Sequence, residues 1–268
     1  MCCSDVRDRF LKDATRPTTR SARRDGNIET VVEAAMLKRF SLTLSWFLLL
    51  ALAFIAPMHA LDPEARLYLP AGSVDVGTLI EPPPKLDSPK LREQMTVVLW
   101  LQRTRTPAQV AFVRKPLNLK RFAPILSELL VSADGIELKK TLDGVISEVR
   151  ADYDALKGKF DLPRPFQVNE AVQPIGDARP VAAYPSGHAI RATVYARLLG
   201  EIFPDKKEAL IELAQQIGYG RVIAGVHFPI DVTAGQKLGN AYADVIVKQA
   251  AFKEAVERIR NKRRRLNR

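Results

Sequence analysis

From residue 136 onward the apolar residues of this chain return at three- and four-residue steps, and no stretch of any length alternates as a half-buried strand would. Leu142, Val145, Ile146, Val149, Tyr153 and Leu156 form one such series within Ile136 to Leu156. Ile190, Val194, Leu198 and Ile202 form a second, closed by Phe203 and Pro204, and Leu210, Leu213, Ala214 and Ile217 a third. Shorter helical stretches are predicted over Leu91 to Gln102, Ala108 to Val113 and Phe122 to Val131. Pro229 suits a first helical position and opens a last helix that the pattern carries to about residue 260. The fold class that follows is all-α, a single-domain helical bundle whose helices pack antiparallel through short loops.

With 268 residues, 47% of them hydrophobic, the chain can bury a substantial core. Its formal charge of +11 sits mainly at the ends: residues 1–39 hold nine Lys/Arg against six Asp/Glu, and residues 252–268 hold eight against two. The body between them is near neutral and shows no aromatic-basic interleaving, which argues against a dedicated nucleic-acid reader. Residues 1–35 are polar and Arg-rich, predicted to be a disordered extension ahead of a second start at Met36. Residues 36–60 run from a Lys-Arg pair through the apolar stretch "FSLTLSWFLLLALAFIAPMHA", the layout of a signal peptide or, uncleaved, of a membrane anchor. Cleavage near Ala60 and a periplasmic or secreted location are expected. Cys2 and Cys3, the only cysteines, precede that segment, so the exported body holds no disulfide. Residues 61–90 contain Pro82-Pro83-Pro84 and read as an extended surface arm, residues 91–256 as the helical domain, and residues 257–268, "ERIRNKRRRLNR", as a basic tail, solvated and disordered.

Histidine is scarce. With His59 in the leader, the body keeps only His188 and His227, each just ahead of or inside a predicted helix start. Either one alone is more often structural than catalytic. In "GYGRVIAGVHFPID", however, Asp231 lies one turn after His227, where a carboxylate accepts a hydrogen bond from one ring nitrogen, fixes the tautomer and leaves the other nitrogen able to attack. Arg221 in the same segment suits bidentate contact with phosphate oxygens. In "YPSGH", Gly187 allows close backbone approach, and the amides of Ser186, Gly187 and His188 stand at the positive end of a helix dipole. "LKGKFDLPRPF" adds Lys157 and Arg164; alone it is a helix end with favourable basic residues, and with the other two it offers more cations for an anion.

In this combination the sequence resembles the type 2 phosphatidic acid phosphatase superfamily, whose signature is K-x6-RP, then PSGH, then SR-x5-H-x3-D. The matching positions are Lys157, Arg164 and Pro165; Pro185, Ser186, Gly187 and His188; and Arg221, His227 and Asp231. Within it, the exported class A bacterial non-specific acid phosphatases look most similar, over most of residues 70 to 255. The resemblance implies a metal-independent acid phosphatase that hydrolyses phosphomonoesters through a phosphohistidine, with no cofactor. His227 is then the nucleophile, Asp231 its orienting carboxylate, and His188 the acid for the leaving alkoxide and base for the hydrolytic water. Lys157, Arg164, Ser186, Gly187 and Arg221 hold the phosphate. One departure stands out: Gly220 occupies the place of the family serine, which removes one hydroxyl contact to the phosphate.

Three other functions share these features. A vanadium-dependent haloperoxidase would hold vanadate with the same residues, though such chains are usually much longer. A lipid phosphate phosphatase normally brings several membrane spans, whereas one apolar run here is long enough. A polyanion-binding protein would act through the basic end, without catalysis. The partner expected is a small-molecule phosphomonoester, with no specific nucleic acid and membrane contact only through an uncleaved leader.

Overall fold

Helix α1 (Pro89–Thr104) begins where Ser88 caps it: the hydroxyl accepts from the Leu91 amide, and a proline fills the first turn. The computed structural model describes residues 66–126, 133–176 and 178–266. The chain separates into two units, Met1–Asp62 and Pro63–Arg268, and every described residue lies in the second. The predicted extension and leader therefore fall outside the described residues.

Short helix α2 (Pro107–Arg114) follows, then α3 (Ala133–Phe160), α4 (Gly187–Ile202), α5 (Lys207–Ile223), α6 (Pro229–Ile246) and α7 (Ala250–Leu266). Single turns at Val76–Leu79, Leu119–Phe122, Ala123–Leu126, Pro165–Val168 and Pro204–Lys206 link them, and there is no strand among the described residues. The class is an all-α bundle, as the periodicity predicts. Leu138, Leu142, Val145, Val149 and Tyr153 of α3 are buried along one face. Helix α4 is buried on almost every side, which makes it the central helix.

The central helix packs most extensively against α5 and α6. Gly235 and Gly239, one turn apart on α6, let the two backbones approach closely. A Cβ at Gly235 would lie 2.7 Å from the Ser186 carbonyl oxygen, and one at Gly239 would lie 2.7 Å from that of Ile190. Only hydrogen atoms fit there, so the starts of α4 and α6 are held side by side.

Two segments depart from expectation. The predicted last helix is two helices, because the chain turns at Val247–Gln249. The turn lets Phe252, Val256 and Ile259 fold back onto the core shared with α3 and α4. The basic end is consequently no loose tail among the residues described. Helix α7 runs to Leu266, Ile259 is buried, Arg258 pairs with Glu137 at 3.0 Å, and Arg260 donates to the Glu201 carbonyl at 2.6 Å. The proline-rich segment is also anchored more firmly than a surface arm. Leu69 and Ile80 are buried, and the Glu148 carboxylate accepts from the amides of Leu67, Tyr68 and Leu69. No helix among the described residues is long and apolar enough to cross a membrane.

Candidate active site

A cavity of about 270 Å³ opens where the C-terminal end of α3, the N-terminus of α4 and the segment between α5 and α6 converge. Lys157, Arg164, Gly187, His188, Arg221 and His227 all line it. Six of the eight predicted site residues are thus brought together from four parts of the chain. The other two, Ser186 and Asp231, are fully buried and stand outside that lining.

His227 reaches its position through the end of α5. After Ile223 the backbone of Gly225 takes a positive φ of 70°, which closes the helix and turns the chain toward α6. His227 is 1% exposed, and its Nδ1 lies 3.1 Å from Oδ2 of Asp231. The same Oδ2 accepts the Phe228 amide at 2.8 Å, so the aspartate at the third position of α6 reaches back to the helix entrance. An oxygen that already accepts one N–H acts as acceptor for Nδ1–H as well. Nε2 then carries the lone pair. A proton on the carboxyl would go to Oδ1, which is buried without a hydrogen-bond partner, and would leave this tautomer unchanged.

Ser186 caps α4: its hydroxyl accepts from the Ala189 amide at 3.4 Å, while its own amide donates to the Asp231 carbonyl at 2.9 Å. The geometry gives it a role in fixing the helix start. Gly187 has a steric requirement of a kind not foreseen. A Cβ there would stand 2.9 Å from the ring of Tyr153, so the space a side chain would take is filled by an aromatic ring from α3.

The cations are held by backbone carbonyls. Lys157 Nζ donates to Ala182 at 2.9 Å; Arg164 donates from Nε to Val181 at 2.9 Å and from Nη1 to Val226 at 3.1 Å. Arg164 thereby ties the loop before α4 to the segment that carries His227. Burial, reinforced by Arg164, lowers the Lys157 ammonium to about 8, so it remains charged at neutral and acid pH. Burial and then the charges of Arg221, Arg191, Arg164 and Lys157 push His188 down to about 2. His227 is likewise held neutral, by burial first and by Arg164, Lys157 and Arg221. Burial raises Asp231 to about 7 against the opposing Phe228 hydrogen bond and the nearby cations.

Gly220, where the family resemblance has a serine, faces α2. A Cβ there would meet Val113 Cγ1 at 3.0 Å and the Phe112 ring at 3.7 Å, on the α2 side of α5, and Gly220 does not line the cavity. A side chain at this position would therefore start out toward α2. The cavity also shows residues the sequence did not single out: Arg150, Tyr153, Asp154, Arg179 and Arg191. Arg150 and Asp154 share the helical face of Lys157, and Arg191 follows Gly187 by one turn, donating from Nε to its carbonyl at 3.1 Å. Among the described residues no group of three or more His, Cys, Asp or Glu side chains is arranged to hold a metal ion.

An aspartate-oriented imidazole beside a helix N-terminus, ringed by cations, defines an anion-handling histidine site on an all-α bundle. Residues 141–254 match the model of the PAP2 superfamily. A non-specific acid phosphatase from Salmonella typhimurium is 25% identical over 228 residues, covering 81% of this chain and 90% of its own length. A lipid A 1-phosphatase from Rhizobium johnstonii is 27% identical over 139 residues, or 52% of this chain and 50% of its own. Among solved structures, a transmembrane PAP2 type phosphatidylglycerolphosphate phosphatase from Bacillus subtilis aligns with 60% of this chain and 87% of its own, at 19% identity and a TM-score of 0.45.

Proposed function

We propose that the chain is a metal-independent acid phosphatase that hydrolyses phosphomonoesters through a phosphohistidine on His227. The observation that carries the proposal is the His227–Asp231 contact at 3.1 Å, in a cavity that Lys157, Arg164, Arg221 and the start of α4 also line. Relatives named as phosphatases support the general class, and the acid phosphatase match spans far more of the chain than the lipid A phosphatase match does.

In the proposed reaction Nε2 of His227 attacks phosphorus as the ester P–O bond breaks. Asp231 accepts from Nδ1–H and balances the positive charge that the ring acquires. Lys157, Arg164, Arg221 and the amides at the start of α4 take up the negative charge on the other phosphate oxygens, which supplies the countercharge without a metal ion. Water then attacks phosphorus on the side opposite His227. His188, neutral once it has protonated the leaving oxygen, takes the water's proton, and the P–N bond breaks to free phosphate and imidazole.

His188 is the proposed proton donor to the leaving oxygen. The cavity without an anion holds it neutral, because four cations and burial act on it together. A phosphate dianion among those cations reverses the local field and raises its proton affinity. The proton therefore enters with the substrate, as a phosphate monoanion or from solvent as the dianion binds. Phosphate esters lose their second proton at a pKa of about 6, so this coupling favours activity on the acid side of neutrality.

Hydrolysis of p-nitrophenyl phosphate tests the proposal. Turnover that persists in chelator and is lost in His227→Ala is expected. Chelator-sensitive turnover, or turnover that survives the substitution, contradicts it.

Export to the periplasm or medium is proposed on the sequence of residues 36–60 alone. N-terminal sequencing of the protein from a secreting host, with a new terminus near residue 61, is the corresponding test.

A further inference from the structure

Tyr153 is a buried phenol in the cavity that the reaction above does not use. It is 4% exposed and lines the cavity, so the part of it that stays open faces the site. Its tip lies against the first residue of α4. A Cβ at Gly187 would stand 2.9 Å from its Cε2, 3.1 Å from its Cζ and 3.1 Å from its hydroxyl oxygen. The ring thus fills the place that a side chain at Gly187 would take, and it sets the hydroxyl beside the amides that begin the helix.

A phenylalanine would fill that space equally well, so packing does not account for the oxygen. Among the described residues no protein group accepts its proton. The side chain placed to hydrogen-bond it is Arg150, one turn earlier on α3, and a guanidinium only donates. Asp154, the single carboxylate among the lining residues, acts on it through charge and makes no hydrogen bond to it. Burial raises the phenol above its ordinary pKa, so it keeps its proton through the acid and neutral range. A buried donor with no acceptor on the protein costs free energy that a bound acceptor recovers. Arg191 and Arg150 outnumber Asp154 around it, so the acceptor that the local field favours is an anion.

On the phosphatase reading, we propose that Tyr153 is a further phosphate-binding residue: its hydroxyl donates to a non-bridging oxygen of the phosphoryl group that the start of α4 holds. The bond is made to substrate and to product phosphate alike, and it does not depend on the leaving group.

Tyr153→Phe keeps the ring over Gly187 and removes only the oxygen. Calorimetric titration with inorganic phosphate is expected to show Kd raised about tenfold or more, as for a lost hydrogen bond to a charged group, with unchanged stoichiometry. The urea midpoint without phosphate is expected to hold, since the hydroxyl has no acceptor on the protein to lose. Values of kcat/KM for p-nitrophenyl phosphate and for butyl phosphate are expected to fall by the same factor. An unchanged Kd would overturn the proposal. A raised Kd accompanied by a lowered midpoint would do the same, as the sign of a displaced helix start. So would a loss confined to butyl phosphate, which would place the hydroxyl on the more basic leaving oxygen. Turnover of p-nitrophenyl phosphate by the parent protein reads the phosphatase assignment separately: phosphate binding that depends on Tyr153, without turnover, would sink that assignment and keep the anion contact.

Discussion

The amide of Ser186 donates to the main-chain carbonyl of Asp231 at 2.9 Å, so the residue that caps α4 and the residue that orients His227 are tied by one hydrogen bond. The helix that offers amides to an anion and the helix that carries the orienting carboxylate are therefore positioned as one unit.

Gly235 is what lets that bond form. A methyl group there would stand 2.7 Å from the Ser186 carbonyl oxygen and 2.9 Å from Ala189 Cβ, so α4 and α6 must separate to admit it. Gly235→Ala is expected to lower stability by about 1–3 kcal/mol in urea denaturation. The folded fraction is expected to lose kcat/KM by more than about tenfold, since displacement of catalytic groups by a fraction of an ångström to 1 Å is costly. Unchanged activity would mean that the α4–α6 approach is irrelevant to the site.

Asp231 and the two histidines make opposing contributions to stability with pH. His188 is lowered from 6.5 to about 2 and His227 also lies below its ordinary value, so the unfolded chain binds more protons and their contribution fades as pH falls below about 6.5. Asp231 is raised from 3.8 to about 7, so its contribution is greatest in acid and is lost as pH rises through 7. Two groups oppose one. The urea midpoint is expected to fall between pH 7 and pH 5, and to fall more steeply in Asp231→Asn. The same variant is expected to lose kcat by about 10²–10⁴-fold, as orienting carboxylates do.

Binding of inorganic phosphate at pH 7.5 is expected to take up a proton. The free cavity holds His188 neutral, and a bound dianion restores its affinity for H⁺. Calorimetric enthalpies measured in two buffers of different ionisation heat report the number. Uptake approaching one proton, lost in His188→Gln, is expected; release of protons would contradict the role given to His188.

Much of this architecture is legible in the sequence because apolar period and burial coincide. Leu142, Val145, Val149 and Tyr153 fall on one buried face, as their spacing predicts. The turn at Val247–Gln249 is not legible, since it contains neither proline nor glycine and arises from tertiary burial of Phe252, Val256 and Ile259. At the site, Lys157, Arg164, His188, Arg221 and His227 stand out because they sit in recognisable short segments and converge on one cavity. Arg150 and Arg191 do not, because an arginine on the polar face of a helix looks like any solvated residue until a second helix is set beside it. The capping hydrogen bond of Ser186 required the fold as well, since its sequence position suits both a cap and a ligand contact.

Gly220 supplies a check on side-chain direction. Gly220→Ser places Cβ 3.0 Å from Val113 Cγ1, so Val113 must give by a few tenths of an ångström. A stability loss of up to about 2 kcal/mol is expected, relieved by Val113→Ala. The inhibition constant for inorganic phosphate is expected to stay within about twofold of the parent, because the new hydroxyl adds no hydrogen bond in the cavity. A markedly tighter constant would return the position to the phosphate site.

The central claim is a covalent bond between phosphorus and the ring of residue 227. Rapid quenching of turnover into alkali, which preserves phosphoimidazole, followed by peptide mass mapping, tests it most directly. Phosphate on His227, absent from the His227→Ala protein, is the expected result. Turnover with no labelled histidine, or with the label on His188, would contradict it.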